Sequence, residues 1–166
     1  MKSNLVLIGM PTAGKSTVGV IAAKVLGKMF VDTDLVLQQR EGDILAGIIA
    51  SRGIDGFLER EEAAVLGLES RNSVIATGGS VVYSEAAMKH LALDGTILYL
   101  KVSEEELKRR LHHARERGVV LREGQSLEAL FKEREALYRK YAEYVIDESS
   151  FTIEDTVQAV CRIFQS

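Results

Sequence analysis

An α/β domain, with a parallel sheet covered on both faces by helices, is the fold this sequence predicts. Two observations carry that prediction. Short apolar runs of strand length alternate along the chain with longer segments of helical period. The first strand and helix are joined by Gly9-Met10-Pro11-Thr12-Ala13-Gly14-Lys15-Ser16-Thr17, which fills every fixed position of G-x-x-x-x-G-K-[S/T]. At 166 residues, with 46% hydrophobic and 27% charged residues, the chain is long enough for one domain with a sound core.

In order, residues 4–9 form a buried strand around Leu5-Val6-Leu7-Ile8, and residues 15–26 form the helix that leaves the loop. Residues 29–32 are a second strand, followed by helical stretches at 35–41, 43–51 and 53–70. Strands at 73–77, 96–101 and 144–147 alternate with helices at 84–91, 103–116, 126–141 and 152–165. Asp43, Ser84, Ser103 and Ser126 are good residues to begin helices, and Ser103-Glu104-Glu105-Glu106 matches a capping box. Residues 115–125 break the rhythm. They are charged and contain Gly118 and Gly124, and they read either as a lid over a ligand or as a plain surface connector.

The glycine loop carries the clearest chemistry. Gly9 and Gly14 let backbone N–H groups turn toward phosphate oxygens, and the helix opening near Lys15 adds its positive dipole end. Lys15 neutralises β- and γ-phosphate charge, and the Ser16 hydroxyl suits a magnesium ion. In an open parallel sheet, ligands bind beyond the carboxyl ends of the strands. Asp32 and Asp34 stand at the end of the second strand, and Thr77-Gly78-Gly79-Ser80 at the end of the third. Alternation along an extended backbone sends Asp32 and Asp34 to the same side. One can hold magnesium and the other take a proton from an attacking hydroxyl, or Asp34 can simply cap the helix after it. Gly78-Gly79 permits close approach of a ligand, or merely a tight turn. His90, His112 and His113 lack metal-ligand spacing and are assigned no role. Tyr138, Tyr141 and Tyr144 follow core-like spacing.

The net charge of -3 offers no electrostatic reason to expect nucleic-acid binding. Cys161 is the single cysteine, which excludes an internal disulfide and suits a reducing cytosol. No apolar run approaches a membrane span, and Met1-Lys2-Ser3-Asn4 leads into the first strand without a signal-peptide pattern. The expectation is a cytoplasmic monomer with no membrane partner.

The order of these features resembles the shikimate kinases over nearly the whole chain. The resemblance rests on the phosphate loop, Asp32-x-Asp34, the stretch from Phe57 to Glu61, Thr77-Gly78-Gly79, Arg110, Arg117 and Arg134-Glu135-Ala136-Leu137-Tyr138. It implies a three-layer P-loop fold like that of the nucleoside-monophosphate kinases. Its five-stranded parallel sheet would run in the order 2-3-1-4-5, with a mobile lid at about 112–125 and acceptor-binding helices at about 34–62. It implies that the loop from Gly9 to Thr17 holds ATP, that Arg110 packs at the adenine, and that Arg117 reaches the phosphates from the lid. Asp34 would bind the acceptor hydroxyls, Arg134 would grip the acceptor carboxylate, and Gly78 and Gly79 would contact the acceptor. Asp32 would support magnesium, usually through water.

Three departures from the family pattern touch the acceptor side. Phe-Arg-x-x-Glu reads Phe57-Leu58-Glu59-Arg60-Glu61, so Leu58 replaces an arginine that shares the acceptor carboxylate with Arg134. Arg60 lies about 200° further around a helix and does not substitute for it. The third glycine of the triplet is Ser80, and the lid reads Arg117-Gly118-Val119-Val120-Leu121 where the family has Arg-Pro-Leu-Leu. The expected activity is phosphorylation of shikimate by ATP with Mg2+, within aromatic amino acid biosynthesis. Lys15, Asp34 and Arg117 would be the catalytic groups, Ser16 and Asp32 the metal ligands, and Phe57, Leu58 and Ser80 would join the acceptor pocket. A kinase for another small polyol or hydroxy acid stays open, as does a nucleotide switch without turnover. An intact Asp32/Asp34 pair and the lack of an Asn-Lys-x-Asp guanine motif weigh against the switch.

Overall fold

In a computed structural model, the chain is described over residues 2–112 and 121–165. The strands are β1 (Asn4–Ile8), β2 (Met29–Asp32), β3 (Ser73–Ala76), β4 (Gly95–Lys101) and β5 (Tyr144–Asp147). The helices are α1 (Lys15–Leu26), α2 (Thr33–Glu41), α3 (Leu45–Leu66), α4 (Glu85–Asp94), α5 (Glu104–His112), α6 (Leu127–Tyr141) and α7 (Ile153–Gln165), with a 3-10 turn at Val81–Tyr83. The strands form one parallel sheet in the order β2-β3-β1-β4-β5, as the family resemblance implied.

The central strands are apolar on both faces because helices cover both. Leu5 and Leu7 point to one side, where they pack with Val74, Leu98 and Leu100 against Val18 and Ala22 of α1 and Val157 and Val160 of α7. Val6 and Ile8 point to the other, where Ile75, Ile97 and Tyr99 meet Met88, Leu107, Leu130 and Tyr138. A smaller cluster of Leu37, Ile48, Phe57 and Ala64 ties α2 to α3. At roughly 1.5–3 kcal/mol for each fully buried large side chain, these contacts dominate the folding free energy.

Two local expectations change. The helical stretches at 43–51 and 53–70 form one element, α3, which kinks at Gly53 (φ 69°) and ends at Leu66. Asp34 does not continue an extended strand. Asp32 is the N-cap of α2 and accepts the Asp34 N–H at 2.9 Å, so Asp34 sits in the first helical turn. The cap won over strand alternation because a carboxylate at this position satisfies a helix N–H that otherwise has no partner. Ser84 and Ser126 cap α4 and α6 as expected. The Ser103 hydroxyl accepts the Glu106 N–H at 3.2 Å.

Candidate active site

The carboxyl ends of β1, β2 and β3 converge at one edge of the sheet. Gly9 leaves β1 with φ 151°, and a Cβ there would stand 2.6 Å from the Leu100 carbonyl oxygen, so only glycine fits. Gly14, at φ 86°, begins α1 in the left-handed region. Between them Thr12 also adopts a positive φ of 69°, and its carbonyl accepts Arg110 Nη1 at 2.9 Å. Strain of this kind, roughly 1–3 kcal/mol per residue, persists where surrounding contacts enforce it. Met10 and Ala13 are buried under the loop, Pro11 lies against Gly79, and Ser16 and Thr17 open to solvent.

Lys15 is 7% exposed and donates to the carbonyls of Gly9 and Met10 at 2.8 and 2.7 Å. Burial lowers its ammonium pKa to about 8, and the Asp34 carboxylate offsets part of that shift. Ser16 donates its hydroxyl to Asp32 Oδ2 at 2.6 Å. Thus Asp32 joins the loop to the start of α2 with one oxygen and caps the helix with the other. Thr33 secures the other side of this turn by accepting the Gly78 N–H at 3.2 Å.

Asp34 faces the exit of β3. Its Oδ1 lies 2.7 Å from the point where a Cβ on Gly78 would stand, and Glu61 Oε2 lies 2.5 Å from that same point. Burial, then the neighbouring Asp32 charge, raise the Asp34 carboxyl to about 6. Beyond it, Gly79 lies under Arg134, whose Nη1 is 3.0 Å from the Cβ position. Arg134 is 1% exposed, its guanidinium covers the Tyr83 ring at 5.4 Å, and its Nε donates to the Tyr83 oxygen at 3.4 Å. A cation sunk this deeply is a ready partner for an anionic ligand group.

The arrangement therefore joins a triphosphate cradle, a carboxylate able to accept a proton, and a buried guanidinium around one glycine pair. The shikimate kinase family model matches residues 11–165. The chain belongs to the shikimate kinase family. Shikimate kinase 2 of Dickeya chrysanthemi is 34% identical over 171 aligned positions, covering 100% of this chain and 96% of that protein. A shikimate kinase of Paracidovorax citrulli is 40% identical over 146 positions, 84% of this chain and 79% of the relative. The solved shikimate kinase of Acinetobacter baumannii, in complex with shikimate, superposes with a TM-score of 0.90 at 29% identity, covering 99% of this chain and 94% of that one.

Within the family frame, the phosphate loop, Asp32, Asp34, Gly78, Gly79, Ser80 and Arg134 come together at one edge. Arg110 reaches the outer wall of the loop, where Glu106 also holds it at 2.8 Å. Arg117 and most of the expected lid lie outside the described residues. Phe57 is 2% exposed within the α2–α3 cluster. Leu58 is half-buried and lines a shallow cavity with Ile54, Tyr83, Leu130 and Glu133. Arg60 turns away toward Glu41, 3.9 Å distant.

Sequence reasoning missed three participants. Tyr138, expected only in the core, also donates to the Gly79 carbonyl. Tyr83 lies under Arg134 and donates to Glu133 at 2.6 Å. Glu61 is buried beside Asp34, and one signal for it was available. It occupies the same helical face as Phe57, Ala64 and Val65, so a glutamate stands where spacing demands an apolar residue.

Magnesium fits the residues present. Mg2+ prefers a few hard oxygen ligands and completes its shell with phosphates and water. The Ser16 hydroxyl and Asp32 carboxylate supply such oxygens beside the loop. Among the described residues no cluster of three or more His, Cys, Asp or Glu offers an all-protein cage. Likewise, among them no helix is long and apolar enough to cross a membrane.

Proposed function

We propose that this chain transfers the γ-phosphoryl group of ATP to a hydroxyl of shikimate, giving ADP and shikimate 3-phosphate. The observation that carries this reading is the convergence of Lys15, Asp34 and Arg134 around Gly78-Gly79. The loop N–H groups and Lys15 hold the β- and γ-phosphates. Asp34 orients the acceptor hydroxyl and accepts its proton as the oxygen bonds to the γ-phosphorus and the bond to the β–γ bridging oxygen breaks. Arg134 grips the acceptor carboxylate and fixes which hydroxyl faces the phosphate. Such a reaction needs mainly positioning and charge stabilisation, which these groups supply. Ser16 and Asp32 would hold Mg2+, which neutralises phosphate charge when bound. Arg117 and its lid would add a further cation and exclude water.

A second reading has one specific support. Leu58 gives the acceptor carboxylate no second cation, so a different polyol or hydroxy acid is the alternative acceptor. ADP release across a panel of acceptors, with shikimate first, separates the two. Asp34→Asn should lower kcat on the true acceptor roughly a hundredfold or more while ATP still binds. Full activity in that variant would remove Asp34 from the chemistry. ADP release that no acceptor stimulates would point to a nucleotide switch.

A further inference from the structure

Glu61 lies on α3, one helical turn after Leu58, with its side chain in the middle of the site. It is 5% exposed. Its Oε1 accepts the Ser80 hydroxyl at 2.7 Å. Its Oε2 is fully buried and has no hydrogen-bond partner. That oxygen and Asp34 Oδ1 lie 2.5 and 2.7 Å from the same point above Gly78, hence within about 5.2 Å of each other. The charged groups that face Glu61 are Asp34 on α2, Arg134 on α6 and Lys15 on α1.

We propose that Glu61 works as a neutral acid, a positioning residue whose Oε1 is fixed by Ser80 and whose Oε2 carries a hydrogen on the side of Asp34. Below neutral pH the acceptor pocket then holds a single carboxylate charge.

Glu61 Oε2 has no partner in either protonation state, and leaving a neutral O–H unpaired in a dry site costs far less than leaving a charged oxygen unpaired. Two carboxylates this close in a dry site do not both ionise cheaply, and the proton settles on the more deeply buried one. Glu61 is the more deeply buried of the two, Asp34 being only half-buried, and burial raises the Glu61 carboxyl to about 7. The cation that would hold Glu61 ionised is missing as well. Residues 58 and 61 are neighbours on the helix surface, so an arginine at 58 would hold Glu61 ionised. Leu58 does not, and Arg52 and Arg60 pair with Glu41 instead. Ser80, found where the family has glycine, supplies the hydroxyl that keeps the neutral acid in place. The consequence, which rests on the kinase reading above, is that an anionic acceptor held by Arg134 meets no second negative charge.

Carboxyl carbon NMR of the full chain, labelled at glutamate, tests the protonation state without any substrate. The resonance absent from Glu61→Gln should titrate in the wild type near pH 7, well above the ordinary 4.5. Glu148, also raised to about 7, should persist in both proteins as an internal control. A Glu61 midpoint at the ordinary value overturns the proposal. Kinetics with shikimate then tests the positioning role. Glu61→Gln, which keeps one acceptor oxygen and one donor, should lower kcat/KM by less than about fivefold, and Glu61→Ala by about fiftyfold or more. Equal losses in the two variants would overturn it as well. If no acceptor is turned over at all, the kinase reading fails while the NMR titration still decides the charge of Glu61.

Discussion

Tyr138 donates its hydroxyl to the carbonyl oxygen of Gly79 across 2.5 Å, tying the middle of α6 to the glycine pair beyond β3. Its ring stacks on Tyr99 with centroids 5.0 Å apart, and Arg134 lies one turn earlier on the same helical face. The bond therefore sets the depth at which Arg134 meets Gly79.

Tyr138→Phe should keep the stacking and remove this bond together with the weaker contact of the hydroxyl to Met10 Sδ at 3.7 Å. It leaves a buried carbonyl without its donor, a loss of about 1–3 kcal/mol. Urea unfolding should show that decrease, and the KM for shikimate should rise more than kcat falls. Unchanged stability would mean that the Gly79 carbonyl finds another donor, and the position of Arg134 would then not depend on Tyr138.

Gly78→Ala is a sharper perturbation of the acceptor side. The new methyl would stand 2.5 Å from Glu61 Oε2 and 2.7 Å from Asp34 Oδ1. Both distances lie well inside van der Waals contact, so one or both carboxyls must move. Because a small misplacement of a reacting group can cost about a hundredfold, turnover should fall by roughly that factor. Nucleotide binding at the loop, measured by calorimetry, should survive. Loss of ATP binding as well would show that Gly78 supports the loop rather than the acceptor pocket.

The contrast between these positions explains how much was readable beforehand. Gly9, Gly14, Lys15 and Ser16 are legible because the motif imposes fixed spacing within one short segment. The sheet order followed from the resemblance, and the buried strands from their apolar runs. Ser80 was read from the glycine motif, and Glu61 shows only as a charged residue on an apolar helix face; Tyr83 and Tyr138 meet the site only in space, so no local pattern announces them. Asp34 was singled out for the right place but with the wrong local geometry. A helix cap by Asp32, not strand alternation, points it into the site.

Leu58→Arg should restore a second cation near the acceptor carboxylate. If shikimate is the acceptor and the pocket is otherwise that of the family, its KM should fall by roughly tenfold or more, with a smaller change in kcat. The same guanidinium lies one turn from Glu61 and should pull that carboxyl toward its charged form, which the NMR titration reads as a lower midpoint. A lower midpoint with no gain in KM would mark a pocket rebuilt for a different acceptor.

Stability should fall as pH rises through the neutral range. Asp34, Glu61 and Glu148 all have folded-state pKa values above their ordinary ones, at about 6, about 7 and about 7, chiefly through burial. A raised carboxyl binds its proton more tightly in the folded protein. Its contribution is complete below the ordinary value near 4 and is lost as pH rises through the folded-state value. The carboxyls that the fold shifts downward, such as Glu106, Asp147 and Asp155, complete their ionisation at lower pH and leave this window undisturbed. The unfolding free energy should therefore drop by roughly 3–6 kcal/mol between roughly pH 5 and pH 7.5, the lower figure allowing for the partial exposure of Glu148. Glu61→Gln removes one of the three groups and should flatten that slope, making the variant relatively more stable at the upper end. Urea midpoints across this range check the sign. A wild-type protein that gains stability toward pH 7.5 would show that these carboxyls are ionised in the fold at little cost.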